Sequence, residues 1–179
     1  MPQYPTPVQG DRRRYLIKAL REVGHRISRL VSGADEHVLF VVPEGEESSI
    51  AGIVRNLRDA EREDQHAIEI MLRVDGSAIA PRRAGQQTQP DGDPDDDVED
   101  VADLLWDFVT LREETLWNLE SAGGRWRNVG IHPFRGEVEV LTWVQEMTDR
   151  DLEAMWRIQR IRDLSRPPDE PPVSGEPDI

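Results

Sequence analysis

The sequence contains no cysteine, which excludes disulfide cross-links, a thiolate nucleophile and cysteine-ligated zinc, and leaves the redox compartment unreadable. Lysine is almost missing too: of 22 basic residues only Lys18 is a lysine and 21 are arginine, a bias that points to genome composition rather than to function. Long apolar runs are absent. The longest, Val38 to Val42, falls far short of the roughly 20 residues that cross a bilayer, so no membrane span is expected. The first ten residues, MPQYPTPVQG, hold three prolines without an apolar h-region or a small-residue cleavage site. They do not read as a secretory signal, and a cytoplasmic location is the default expectation. Positive charge is also in deficit, with 36 acidic side chains and a net charge of -14. That balance argues against general attachment to DNA, RNA or anionic membrane, each of which needs a concentrated basic surface to release counterions. Neither a nucleic-acid nor a membrane partner is expected.

The acidity is concentrated. Residues 91–100 (DGDPDDDVED) hold seven acids and no base, and residues 165–179 hold four acids and one arginine. Together they account for ten of the fourteen net negative charges, so the rest of the chain is close to balance, as a packed body would be. The end of the chain, SRPPDEPPVSGEPDI, is one-third proline and has too little apolar surface to offset the entropy of ordering. The sequence therefore divides into a flexible N-terminus (1–11), a folded body (12–165) interrupted by an acidic linker (75–97), and a disordered, acidic, proline-rich tail (166–179).

Four segments of the body carry helical periodicity. In the first, Leu16, Leu20, Val23, Ile27 and Leu30 share one face, with His25 opposite. In the second, Ser48 and Ser49 can cap a helix lined by Ile50, Ile53, Val54, Leu57, Ile68 and Met71 and running to about Val74. The third aligns Val101, Leu105, Phe108, Thr115, Leu116 and Leu119, and its acidic approach suits the positive end of a helix dipole; Gly123 and Gly124 end it. The fourth begins near Gly136, repeats Leu141, Val144, Thr148, Leu152, Met155 and Ile158, and stops at Arg166-Pro167-Pro168. Each would span about 37 Å. Four amphipathic helices bury their apolar faces most simply as an all-α four-helix bundle. Residues 33–48, 75–97 and 122–135 are long enough to be crossover connections. The run Val38–Val42 has strand propensity but no evident pairing partner, so it is expected to pack over the bundle end.

On three strings, SSIAGIVRNLRDAERED in the second helix, DFVTLREETLWNLES in the third and WRNVGIHPFRGEVEVLTWVQEMTDRDLEAM leading into the fourth, the chain resembles the DinB-like (DinB/YfiT) superfamily of bacterial four-helix proteins, which includes metalloenzymes and thiol-dependent transferases. The resemblance covers about residues 12–165. It implies a DinB-like four-helix bundle with long crossover connections, and a divalent metal held by three histidines: one in an HLADAE-like string and two in an HDxxH-like string. This sequence reads NLRDAE and TDRDL there, so the matched positions are Asn56, Thr148 and Leu152. Leucine cannot coordinate a metal, and Asn or Thr alone supplies only a weak neutral oxygen. The resemblance thus implies a degenerate site with no metal. Nor do the other histidines rebuild one: His66 lies about 15 Å along the helix from Asn56, His25 faces outward, and His37 and His132 fall in loops.

Two functions remain. The favoured one is a binding or interaction module with no metal and no cofactor, its three would-be ligands replaced and its small-molecule ligand unknown. The alternative is an enzyme, such as a low-molecular-weight-thiol-dependent transferase, using the same cleft with different ligands or a metal-independent acid or base. Against it, no nucleophile is paired with a base and no glycine-rich phosphate loop joins a strand to a helix. Regulation through the acidic linker would rest on charge alone.

Three structural expectations follow. Arg112 lies on the apolar face of its helix, where a guanidinium needs a carboxylate; Glu61, at a matching height, is the expected partner, with Asp64 second and a snorkelling arginine as the alternative. Asn56, Thr148 and Leu152 should converge on one cleft. Trp106 and Trp117 fall within roughly 20° of one another on the outer line of the third helix, with Trp143 off the centre of the fourth. They are the expected homodimer interface, a habit the resemblance also implies, unless the loops 75–97 or 33–47 cover them.

Overall fold

A computed structural model of the chain describes residues 9–83 and 100–165, with side chains from residue 12. The N-terminal eight residues, most of the acidic linker and the tail 166–179 lie outside the described residues. The helices are α1 (Gln9–Ser32), a short α2 (Glu36–Phe40), α3 (Ile50–Arg73), α4 (Val101–Glu120) and α5 (Val140–Leu164). Two of the long ones start at side-chain caps. The Ser49 hydroxyl accepts from the Gly52 amide at 3.2 Å, and Asp100 accepts from Ala102 at 2.9 Å, so each satisfies one of the amide groups that a helix start leaves unpaired.

The four long helices pack as a bundle whose apolar core is divided in two. One cluster joins Val23, Ile27, Val54, Leu57, Phe108 and Ile158; the other joins Leu16, Leu20, Ile68, Met71, Leu116 and Met147. Helices α1 and α5 meet the second cluster first, whereas α3 and α4 meet the first cluster first. Consequently α3 and α4 run parallel, and the chain between them must return the full length of the bundle. A long crossover is a requirement of this topology. None of the described helices is long and apolar enough to cross a membrane.

Val38–Val42, expected to pack over the bundle end, does so only at its start: Glu36–Phe40 forms one helical turn that buries Val38 against the first cluster and leaves Phe40, Val41 and Val42 exposed. Two other regions depart from the sequence expectation. The fourth helix starts at Val140 instead of near Gly136, because Gly136–Glu139 is a strand. A small sheet joins β1 (Ser77–Ala78), β2 (Val129–His132) and β3 (Gly136–Glu139) in that order, β1 parallel and β3 antiparallel to β2. Strands this short carry no legible alternation, and β1 pairs with a segment far along the chain, Ser77 with Gly130. Gly130 allows the sheet to lie on α3, since a Cβ there would fall 2.9 Å from Met71 Cγ and 2.8 Å from Ile79 Cδ1. Residues 75–83 are thus part of the folded body, not linker. They pass from α3 through β1 to a strap, residues 79–83, that lies across α3 and α5.

Candidate functional site

Between the two apolar clusters, at mid-height of the bundle, every long helix contributes to a polar layer. Glu61 and Asp64 come from α3, Arg112 and Thr115 from α4, Arg150 and Asp151 from α5, while α1 leaves room with Gly24 and offers the Leu20 carbonyl. Glu61, Asp64 and Asp151 are fully buried and Arg112 is 3% exposed. Arg112 grips Glu61 with two nitrogens, Nε to Oε1 at 3.1 Å and a terminal nitrogen to Oε2 at 2.6 Å. It also donates to Asp151 at 2.6 Å and to the Leu20 carbonyl at 3.1 Å. Thr115 donates its hydroxyl to Glu61 at 2.7 Å, and the Phe108 ring lies 5.0 Å from the guanidinium. Such saturation is what allows ions to be buried at all.

The layer continues outward as an alternating ladder. Arg150 donates to Asp151 at 2.9 Å and to Asp64. Asp64 accepts from Arg82 at 2.6 Å, Arg82 donates to Glu146 at 2.8 Å, and Glu146 accepts from Arg135 at 2.5 and 3.0 Å. Four arginines and four carboxylates alternate from the bundle core to the β2–β3 hairpin, with no net formal charge. Burial works to lower the pKa of Arg112, but Asp151 and Glu61 outweigh it and hold the guanidinium above its ordinary value. Arg150 shows the same contest, with Asp151, Asp64 and Glu61 prevailing over desolvation. For Glu146, partial burial pushes the pKa up, and the arginines at 135 and 82 together pull it below the ordinary value.

The structure brings Glu61 and Arg112 together, and Asp64 belongs to Arg150 and Arg82 instead. It does not bring together Asn56, Thr148 and Leu152. Glu61 faces Asp151 and Asp64 faces Arg150, in keeping with α3 and α5 running antiparallel through the two clusters. Thr148 therefore lies near the level of Asp64, about 12 Å along α3 from Asn56 at the rise of an α-helix. Asn56 is exposed, Thr148 is buried with its hydroxyl given to the Val144 carbonyl at 2.9 Å, and Leu152 is half-buried against the first apolar cluster. Trp143 is also corrected. It is 1% exposed, a core residue, because the strap and the hairpin cover the flank of α5 that looks outward on a bare helical wheel. Trp106 and Trp117 are 72% and 74% exposed. His25, His37 and His66 are exposed, and His132 is buried at the end of β2, where its Nδ1 accepts from the Phe134 amide at 3.2 Å.

Asp151, Arg150, Arg82, Glu146 and Arg135 were not singled out from sequence. Asp151 had a signal: three residues after Thr148 and four before Met155, it falls on the buried face of its helix. Arg82 had none, since it arrives from a connection.

No family model and no curated protein matches the sequence. Among solved structures, YfiT from Bacillus subtilis, described as a probable metal-dependent hydrolase with an unusual four-helix bundle topology, superposes with a TM-score of 0.75 over 92% of this chain and 93% of that one, at 13% identity. The chain has the YfiT fold. At that identity YfiT speaks for architecture, and the donors here must be judged on their own. They do not fit a metal: Asn56 and Thr148 lie at different levels, Leu152 has no donor atom, and each buried carboxylate is already held by two guanidinium groups. Among the described residues no group of three or more His, Asp or Glu is disposed to hold an ion.

Two measurements test the ladder. Arg112→Met should destabilise the protein by about 3–5 kcal/mol in urea unfolding, because it removes both guanidinium hydrogen bonds of buried Glu61 and one of the two guanidinium partners of Asp151, and adding Glu61→Gln should recover part of that loss. Since Glu146 has a lowered pKa, its contribution is fully present above the unfolded value near 4.5 and fades as the pH falls through the lower folded value. Glu146→Gln should therefore flatten the acid limb of a plot of Tm against pH.

Proposed function

We propose that the chain is a binding module on the YfiT fold that works without a metal and assembles as a homodimer in the cytoplasm. The observation that carries the metal-free reading is the assignment of donors. The buried acids that could ligate an ion are committed to arginine, and the positions matched to the metal ligands of the resembled superfamily hold an exposed Asn56, a buried Thr148 and a half-buried Leu152. Displacing a guanidinium from a carboxylate with a metal would leave a buried cation unpaired, a cost of several kcal/mol. The Thr115 hydroxyl does meet a carboxylate, Glu61, but both are fully buried and Glu61 is held by Arg112, which favours binding over catalysis.

The dimer reading rests on α4. Trp106 and Trp117 stand on one exposed line, about 16 Å apart at the rise of an α-helix. Beside Trp106 an open groove of about 430 Å³ is walled by Val31, Leu39, Val101, Leu105 and Val109. An apolar surface of this kind is typical of an association site. Trp143 takes no part in it.

Native mass spectrometry of the untagged protein reads both claims. The expected species is a dimer without bound metal. Stoichiometric zinc or nickel that disappears on replacing His66 or His132 would sink the metal-free reading. A monomer at about 50 µM would refute the dimer, whereas dissociation caused by Trp106→Glu would support this face.

A further inference from the structure

Arg82 differs from the other inner arginines of the ladder in where it comes from. Arg112 and Arg150 project from helices, but Arg82 is carried by the strap and reaches into a receptor built wholly by α3 and α5. Its guanidinium lies 3.9 Å from the centre of the Trp143 ring. Nε donates to Asp64 at 2.6 Å, and the two terminal nitrogens donate to Glu146 at 2.8 Å and to the Trp143 carbonyl at 3.3 Å. An aromatic face with two carboxylates and a carbonyl around it is what recognition of a planar organic cation requires.

Without Arg82 no acid of the receptor is left bare. If the strap withdraws, Asp64 keeps Arg150 and Glu146 keeps Arg135. The ladder then holds three arginines against four carboxylates, so the vacated place carries one net negative charge and calls for a monocation. Beyond buried Ile79, residues 80–83 of the strap are half-buried or exposed. Between it and α3 lies a cavity of about 210 Å³ walled by His66, Ala67, Ile70, Ala80, Pro81 and Trp143, and a further polar tie is the Arg83 amide to Glu63 at 2.7 Å. Trp143, on the wall of this cavity, has its indole N–H buried with no hydrogen-bond partner.

We propose that Asp64, Glu146 and Trp143 form a receptor for a guanidinium-bearing small molecule, and that Arg82 occupies it as a tethered pseudo-ligand. The ligand has a guanidinium head and a short apolar arm that lies along Ala67 and Ile70 of α3. Its binding exchanges one guanidinium for another and lifts the strap. This names a ligand class for the binding module proposed above and rests on that reading, while metal content, which decides that reading, is measured separately.

The test uses the full chain with butylguanidinium, a monocation, as probe and butylurea as its neutral isostere. Removing the tethered competitor by Arg82→Ala should tighten calorimetric binding of butylguanidinium by about tenfold or more, with no binding of butylurea. In the unaltered protein, butylguanidinium should speed hydrogen exchange at the Arg83 amide, which a purely bracing role for Arg82 would leave unmoved. Equal affinity in the two proteins, equal binding of the urea analogue, or unchanged exchange in the strap would each overturn the proposal. Should Arg82→Ala not fold alone, butylguanidinium but not butylurea should restore its helical circular dichroism, and failure of that rescue would also overturn it.

Discussion

Placing Arg112 at the centre of the bundle constrains everything around it. A guanidinium removed from water loses hydration worth several kcal/mol, and only close, multiple hydrogen bonds to opposite charge offset that loss. Glu61 and Asp151 supply the charge, Thr115 fixes one Glu61 oxygen, and the Leu20 carbonyl takes the remaining terminal nitrogen. These partners come from all four long helices. The layer therefore acts on register: a helix slipped by one turn would leave a buried ion facing an apolar residue, whereas the leucine and isoleucine clusters above and below would tolerate such a slip far better. The layer ties α4 to α1, α3 and α5, and α3 to α5.

The same electrostatic demand connects the bundle to its accessory elements. Two of the acids brought inside need more positive charge than α4 offers, and Arg150 and Arg82 provide it. Arg82 can reach Asp64 only because residues 75–83 are held against α3 by β1, by the Ser77 hydroxyl on the Val74 carbonyl at 2.8 Å and by buried Ile79. β1 in turn exists because β2 lies on α3 through Gly130. The small sheet is thus the anchor of the crossover that a parallel α3 and α4 require, and the crossover delivers the cation at the outer end of the ladder. Topology and chemistry meet at one residue.

A YfiT-like architecture at 13% identity shows that the fold accommodates widely different sequences. The bundle needs two apolar clusters and a compatible layer between them. In this chain that layer is made of alternating arginine and carboxylate, a solution that neutralises the interior and leaves no oxygen uncommitted for a hard or borderline cation.

Local sequence determined the helices. Apolar spacing at three and four residues located all four, the Ser49 cap marked the start of α3, and the acidic approach marked α4, because these signals depend on neighbours within a turn or two. Arg112 among apolar neighbours also announced a buried ion pair, since burial of an unpaired guanidinium is prohibitive, and Glu61 at the matching height was its nearest candidate. Tertiary structure alone decided the rest. Asn56 and Thr148 look equivalent as motif positions, but antiparallel packing puts them about 12 Å apart in height. Trp143 looks peripheral on a helical wheel and is buried because a strap and a hairpin from distant sequence cover it. Strands as short as β1, β2 and β3 acquire meaning only when paired, and Ser77 meets Gly130 from the far side of the crossover and α4. Arg82 carries no local mark at all: its role comes from the contacts of the segments that deliver it, and those contacts exist only once the chain has closed.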